Sequence, residues 1–78
     1  MWFVYLLRCS DGTLYAGVTT GLNRRLREHN SGKGSAYTRA RRPVKIVFRE
    51  THPSRSSAQK REAEIKNWSR ARKERLLE

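Results

Sequence analysis

Five side chains carry chemistry when read together: Tyr5, Tyr15, Arg25, His29 and Glu62. At about 3.6 residues per turn, the segment after His52 sets Ala58, Ile65 and Trp68 along one stripe, and Glu62 falls inside that stripe. A carboxylate is costly to bury there unless it is paired. Two arrangements satisfy it. Either it snorkels out to a salt bridge with Lys66 or Arg61, or it is aimed at the neighbouring layer as a metal ligand or catalytic carboxylate. Cys9 is the only cysteine, so the chain has neither an internal disulfide nor a second thiolate for zinc, and any metal must be held by oxygen. Arg25 and His29 lie one helical turn apart. Taken singly, each tyrosine suits packing, His29 suits a polar helix position and Arg25 suits a solvated charge. Their combination, with equal spacing from Tyr5 to Tyr15 to Arg25 and an inward carboxylate on another helix, favours an assembled site.

The elements that must position these residues can be read from the same sequence. Trp2 to Cys9 and Thr13 to Thr19 are aromatic, β-branched and apolar, and Ser10-Asp11-Gly12 between them supplies turn chemistry, which predicts a β-hairpin. A three-residue loop with Gly12 in the left-handed conformation pairs Leu7 with Tyr15 and Tyr5 with Gly17. Only that register puts both tyrosines on one face. From Thr20 to Asn30 the period becomes helical, with Leu22 and Leu26 on one stripe, Thr20 as a cap and Asn30-Ser31-Gly32 as a stop. Asn30 to Pro43 shows no periodicity and reads as a mobile basic loop. Val44, Ile46 and Phe48 alternate with Lys45, Val47 and Arg49, a third strand ending near His52. Ser56-Ser57-Ala58-Gln59 matches a capping box and opens a helix to about Trp68, and Ser69 starts a short last helix ending at Leu76-Leu77. The fold class is α+β: one domain over 1–78, with a small three-stranded antiparallel sheet flanked by helices in the order β-β-α-β-α-α. The five residues then meet on one concave surface.

Charge narrows the partner. Eighteen Lys and Arg against seven Asp and Glu leave a net +11 on 78 residues, which strains a compact state through self-repulsion until a polyanion takes it up. Nucleic acid is the leading expectation. An anionic membrane surface is the competitor, but the longest apolar run, Trp2 to Leu7, falls far short of the ~20 residues needed to span a bilayer. That run also lacks the flanks of a secretory signal, so the expected location is cytoplasmic. Arg24, Arg27, Lys33, Tyr37, Arg39, Arg41 and Arg42 flank the site and can follow a phosphate backbone, with Arg70, Arg72, Lys73 and Arg75 as an extension. Gly32-Lys33 is not a P-loop, because Arg27 stands where a glycine is needed and Gly34 where Ser or Thr should follow.

With these residues in order, the sequence resembles the GIY-YIG nuclease superfamily. The first half-motif appears as Val4-Tyr5-Leu6 and the second as Tyr15-Ala16-Gly17, followed by Arg25-Leu26-Arg27-Glu28-His29 and a later helix bearing Glu62. The likeness spans nearly the whole chain. It is greatest to the small stand-alone bacterial members, which carry a similar Asn30-Ser31-Gly32-Lys33-Gly34 run and a basic Tyr37-Thr38-Arg39 segment. The resemblance implies a metal-dependent endonuclease that hydrolyses phosphodiester bonds with one Mg2+ or Mn2+ ion. The expected substrate is structured, nicked or single-stranded DNA, with RNA as a further candidate and a protein partner as a source of specificity. It also implies that Glu62 holds the metal, Tyr5 and Tyr15 handle the water and its proton, Arg25 neutralises phosphate charge and His29 assists. A single carboxylate suits Mg2+ or Mn2+, which keep several waters and use substrate phosphate as further ligands. The sequence departs from the pattern in three places. No glycine precedes Val4-Tyr5, Val18 stands where several active members carry lysine, and Arg72-Lys73-Glu74-Arg75 offers no equivalent of a downstream asparagine. These departures keep a second class in play: a nucleic-acid-binding module of the same fold with little or no turnover.

Overall fold

The computed structural model describes all residues from Met1 to Glu78. Trp2–Arg8 (β1) and Leu14–Thr19 (β2) form the expected hairpin. Gly12 closes it at φ +86°, the Cys9 amide donates to Thr13 O at 2.9 Å, and the Gly12 amide donates to Cys9 O at 2.9 Å. The left-handed glycine fixes the register, so Leu7 faces Tyr15 and Tyr5 faces Gly17. Lys45–His52 (β3) pairs antiparallel with the other side of β1, giving the order β2-β1-β3. The first strand is therefore the central one. Its run from Val4 to Leu7 is buried throughout, because both faces of the sheet are covered.

Two small cores result. On one face Val4, Leu6 and Ala16 meet Ala58 and Ile65 of the helix Arg55–Lys66 (α3), with Trp68, Leu76 and Leu77 packed around them. On the other face Tyr5, Leu7, Cys9 and Val44 meet Leu22 and Leu26 of the helix Leu22–Asn30 (α1). Strict alternation in β3 would place Val44, Ile46 and Phe48 together. Instead, a bulge lets Leu6 pair with Phe48 and Leu7 with Ile46, leaving Val47 as the extra residue. Ile46 thus joins Val44 in the Tyr5 core, and Phe48 crosses to the Ile65 core with Val47. The third strand serves both layers by breaking its own period.

The helix starts differ from expectation in three places. Thr20 does not cap α1: Gly21 occupies that position without a side-chain bond, and Thr19 Oγ1 accepts the Gly21 amide at 3.1 Å. The stretch read as an aperiodic loop contains a single turn, Ala36–Arg39 (α2), capped by Ser35, whose Oγ accepts the Thr38 amide at 3.2 Å. One turn is too short to leave a period, so only its cap is visible in sequence. The helix α3 begins at Ser54 rather than at the Ser56–Gln59 box. Ser54 Oγ accepts the Ser57 amide, and the Ala58 amide reaches Ser54 O. Starting earlier closes more backbone hydrogen bonds, which outweighs the reciprocal side-chain bond of a box. Ser69 caps Arg70–Arg75 (α4) as expected. That helix is fastened to the sheet by Arg8, whose guanidinium meets both oxygens of Glu74 at 2.6 Å.

Candidate active site

Tyr5 sits at the middle of the central strand and points across the edge strand, above Gly17. A Cβ at Gly17 would collide with the Tyr5 hydroxyl and ring, so the glycine is what lets the phenol reach past β2. The Tyr5 hydroxyl meets His29 Nε2 at 3.0 Å, with the two rings edge-on at 6.1 Å. His29 has no exposed surface. Its other nitrogen, Nδ1, meets Thr38 Oγ1 at 2.8 Å, and a Cβ at Gly34 would overlap the imidazole. Tyr15 arrives on the same face, as the hairpin register requires. Its ring lies 5.5 Å from His29 and stacks on Tyr37 at 5.7 Å with 23° between planes. Its hydroxyl has no hydrogen-bond partner within the protein.

Arg25, one turn before His29, donates to Glu28 Oε1 at 3.1 Å and to Gly34 O at 3.4 Å. Burial pushes the Tyr5 phenol above its ordinary pKa; the Arg25 guanidinium pulls it back, while Tyr15 and Glu62 push it up again. Burial also works against the charge on Arg25, but Tyr5 and Glu28 more than offset it, so the guanidinium stays charged. His29 is held below the ordinary histidine range, first by burial and then by the nearby Arg25 charge. Near neutral pH the centre is thus a neutral phenol bonded to a neutral imidazole beside a fixed cation.

Glu62 lies on α3, with about a fifth of its side chain exposed (22%), and Lys66 Nζ is 3.6 Å from its Oε2. The same ammonium stands 5.8 Å from the centre of the Tyr15 ring, so Lys66 links the carboxylate to the tyrosine face. Arg61, the other expected partner, is taken by Glu50 and Glu64. All five residues thus gather around the β2 edge. Tyr5 and His29 are buried there, and the partly exposed Tyr15, Arg25 and Glu62 lie on an open face rather than in the concavity expected: none of the three hollows in the molecule is lined by any of the five. No group of three or more His, Cys, Asp or Glu side chains is placed to cage a metal. A lone carboxylate beside an open face suits a hard divalent ion that keeps its waters.

The basic flank divides in two. Arg24, Arg27, Lys33 and Arg39 are exposed and have no acidic partner, leaving four charges for an anion. Arg41 is engaged inside the protein, with Asp11 at 3.0 Å, Tyr37 O at 2.9 Å and the Tyr37 ring at 3.8 Å. Arg42 donates to Arg39 O and Asn30 O, and Tyr37 is half-buried in its stack on Tyr15. From sequence, Lys66 was expected only as a salt-bridge partner of Glu62 and Gly17 only as part of the second half-motif, and no role in the site was assigned to Gly34 or Thr38. The available signals were faint: a glycine two residues after Tyr15, and the Ser35-to-Thr38 spacing of a helix cap.

A central-strand tyrosine reaching over a glycine of the edge strand, with an arginine and histidine on the next helix and a glutamate on a later one, defines a class of small α+β catalytic domain. The model of the GIY-YIG catalytic domain matches residues 1–75, and the chain belongs to that family. Among relatives, a UPF0213 protein of Desulfotalea psychrophila is 57% identical over 97% of this chain and 70% of its own length. A UPF0213 protein of Natronomonas pharaonis is 53% identical over 96% of this chain and 88% of its own length. The solution NMR structure of a UPF0213 protein from Bacillus halodurans superposes with a TM-score of 0.62 at 45% identity, covering 99% of this chain and 83% of that one. The three-stranded sheet with its covering helices is therefore a fold shared with a solved relative, and the chain sits within the nuclease superfamily.

Proposed function

We propose that the protein is a metal-dependent endonuclease hydrolysing phosphodiester bonds in DNA, with nicked, branched or single-stranded DNA as its substrate class. The observation that carries this reading is the buried Tyr5–His29 hydrogen bond set beside Arg25 and Glu62. A phenol with its pKa raised by burial is a poor base unless its own proton has somewhere to go, and neutral His29 supplies that acceptor. Tyr5 takes a proton from the attacking water as its own passes to His29 Nε2. Arg25 neutralises charge that develops on the phosphoryl oxygens. Tyr15, with its hydroxyl unpartnered and its ring braced by Tyr37, orients the water or the scissile phosphate. Glu62 holds Mg2+ or Mn2+, which supplies Lewis-acid stabilisation of the phosphate when bound. Arg24, Arg27, Lys33 and Arg39 carry the flanking backbone.

A nicking assay over a panel of branched, nicked, single-stranded and duplex DNA, and RNA, with Mg2+ or Mn2+, tests this reading. Glu62→Gln keeps the shape but removes the charge that would hold the cation, so cleavage should fall by about 100-fold or more while DNA binding persists. Retained cleavage in Glu62→Gln defeats the metal role. A second reading, a nucleic-acid-binding module with little turnover, draws support from Lys66, which already neutralises Glu62. Absence of cleavage in the unmodified protein across the panel, with DNA binding intact, selects that second reading.

A further inference from the structure

His29 is wired on both sides, and the far side leads out of the protein. Thr38 is buried with no exposed surface, and its Oγ1 sits 2.8 Å from His29 Nδ1, 3.0 Å from Ser35 Oγ and 3.3 Å from Ser35 O. Ser35 is only half-buried. With Gly32, Lys33, Gly34, Ala36 and Arg39 it lines a hollow of about 310 Å³, which neither Tyr15 nor Glu62 lines. We propose that Thr38 and Ser35 complete a proton path running from the Tyr5 hydroxyl through His29 to solvent at this hollow, with Thr38 as the positioning residue that fixes the His29 tautomer. The path rests on the reading of Tyr5 as the residue that takes a proton from water.

The direction follows from counting hydrogens. Thr38 has one hydroxyl proton, and Ser35 offers it two oxygens. When that proton points to Ser35, a lone pair of Thr38 Oγ1 faces Nδ1 and accepts its hydrogen. Neutral His29 then carries its proton on Nδ1, and Nε2 presents a lone pair to the Tyr5 hydroxyl. This is the resting state. In the transfer, the Tyr5 proton forms a bond to Nε2, the Nδ1 proton moves to Thr38 Oγ1, the Thr38 proton moves to Ser35 Oγ and the Ser35 proton leaves to water. The His29 imidazole, the Thr38 hydroxyl and the Ser35 hydroxyl each gain one hydrogen and give one up, so the net change is one proton moved from Tyr5 to solvent. Thr38 then donates back to Nδ1, and Nε2–H donates to the tyrosinate. The Ser35–Thr38 contact is compatible with either direction of donation, as both states need. The imidazole is neutral in both states, which matters because burial and Arg25 disfavour the imidazolium. Gly34 contributes by absence, since any side chain there would overlap the ring the path runs through.

The test combines imidazole 15N NMR on the metal-free protein with cleavage assays on Thr38→Val and Thr38→Ser. The resting protein should show a single neutral tautomer with the proton on Nδ1; a proton resident on Nε2 overturns the path without any variant being made. Thr38→Val keeps the shape but offers no acceptor, so the tautomer should shift towards Nε2–H and turnover should fall by about 10-fold or more. Thr38→Ser should restore both to within a few-fold. An unchanged tautomer in Thr38→Val, or a shifted tautomer with unchanged cleavage, rejects the proposal. If the unmodified protein cleaves nothing, the endonuclease reading fails separately. The tautomer shift in Thr38→Val then stands as support for the wiring, and its absence refutes the wiring.

Discussion

Gly17 and His29 show how much of the site depends on single positions. A methyl group at Gly17 would occupy the space of the Tyr5 hydroxyl. Gly17→Ala should therefore cost about 1–3 kcal/mol through overpacking and displace Tyr5 from His29, so that denaturant unfolding and cleavage are both impaired. His29 makes a different prediction. The fold holds it below the ordinary histidine value of about 6.5, so as pH falls through that value the unfolded chain binds a proton that the folded chain refuses. Stability from this source is complete above about pH 6.5 and declines below it, and a His29→Gln variant should show a flatter fall in Tm between about pH 7.5 and 5. Asp11 and Glu74, whose carboxyls are held low by Thr13 and Arg8 respectively, withdraw their contributions only in stronger acid, outside that window. The tyrosine pair was legible in sequence because one glycine, Gly12, sets the hairpin register, and register decides which face a side chain takes. The surroundings of His29 were not, because Gly34, Ser35 and Thr38 lie in a stretch without period and act through one contact each.

At the scale of elements, the caps and the bulge carry the tests. The start of α3 at Ser54 means that Ser54→Ala should cost about 1 kcal/mol, whereas Gln59→Ala, which would break a box opening at Ser56, should be close to neutral in chemical denaturation. Ile65→Ala should cost about 2–5 kcal/mol, since that side chain is fully buried between Val4, Leu6 and Ala58. Apart from the single turn α2, the strands, the helices and their order were legible in sequence because alternation, helical spacing and Gly-containing turns agree with one another here. The division of β3 between two cores was not, since a bulge adds a residue without changing composition, and Val47 is as good a strand residue as its neighbours. The helix starts were ambiguous for a related reason: Ser54, Ser56 and Ser57 are all chemically able to cap, and only the geometry after Pro53 selects among them.

Across the whole molecule, the +11 charge is distributed unevenly: several arginines are bound to carboxylates or backbone, and Arg24, Arg27, Lys33 and Arg39 remain beside the site. If these four meet about four phosphates, binding should weaken with salt along a log-log slope of roughly −3 to −4, and Arg27→Ala should reduce that slope by about 1 for every sequence alike. A salt-independent affinity measured by fluorescence anisotropy would remove the electrostatic basis of nucleic-acid binding. No helix is long and apolar enough to cross a membrane. The sheet order β2-β1-β3 also has a consequence during synthesis. The central strand leaves the ribosome before the other two, and β2 can zip onto it at once, but the partner for its other edge lies beyond α1 and α2, with Leu7 waiting for Ile46. Until β3 emerges, the most apolar strand of the protein has one unpaired edge and incomplete cover. That interval is when the nascent chain is open to pairing with a neighbour or capture by a chaperone.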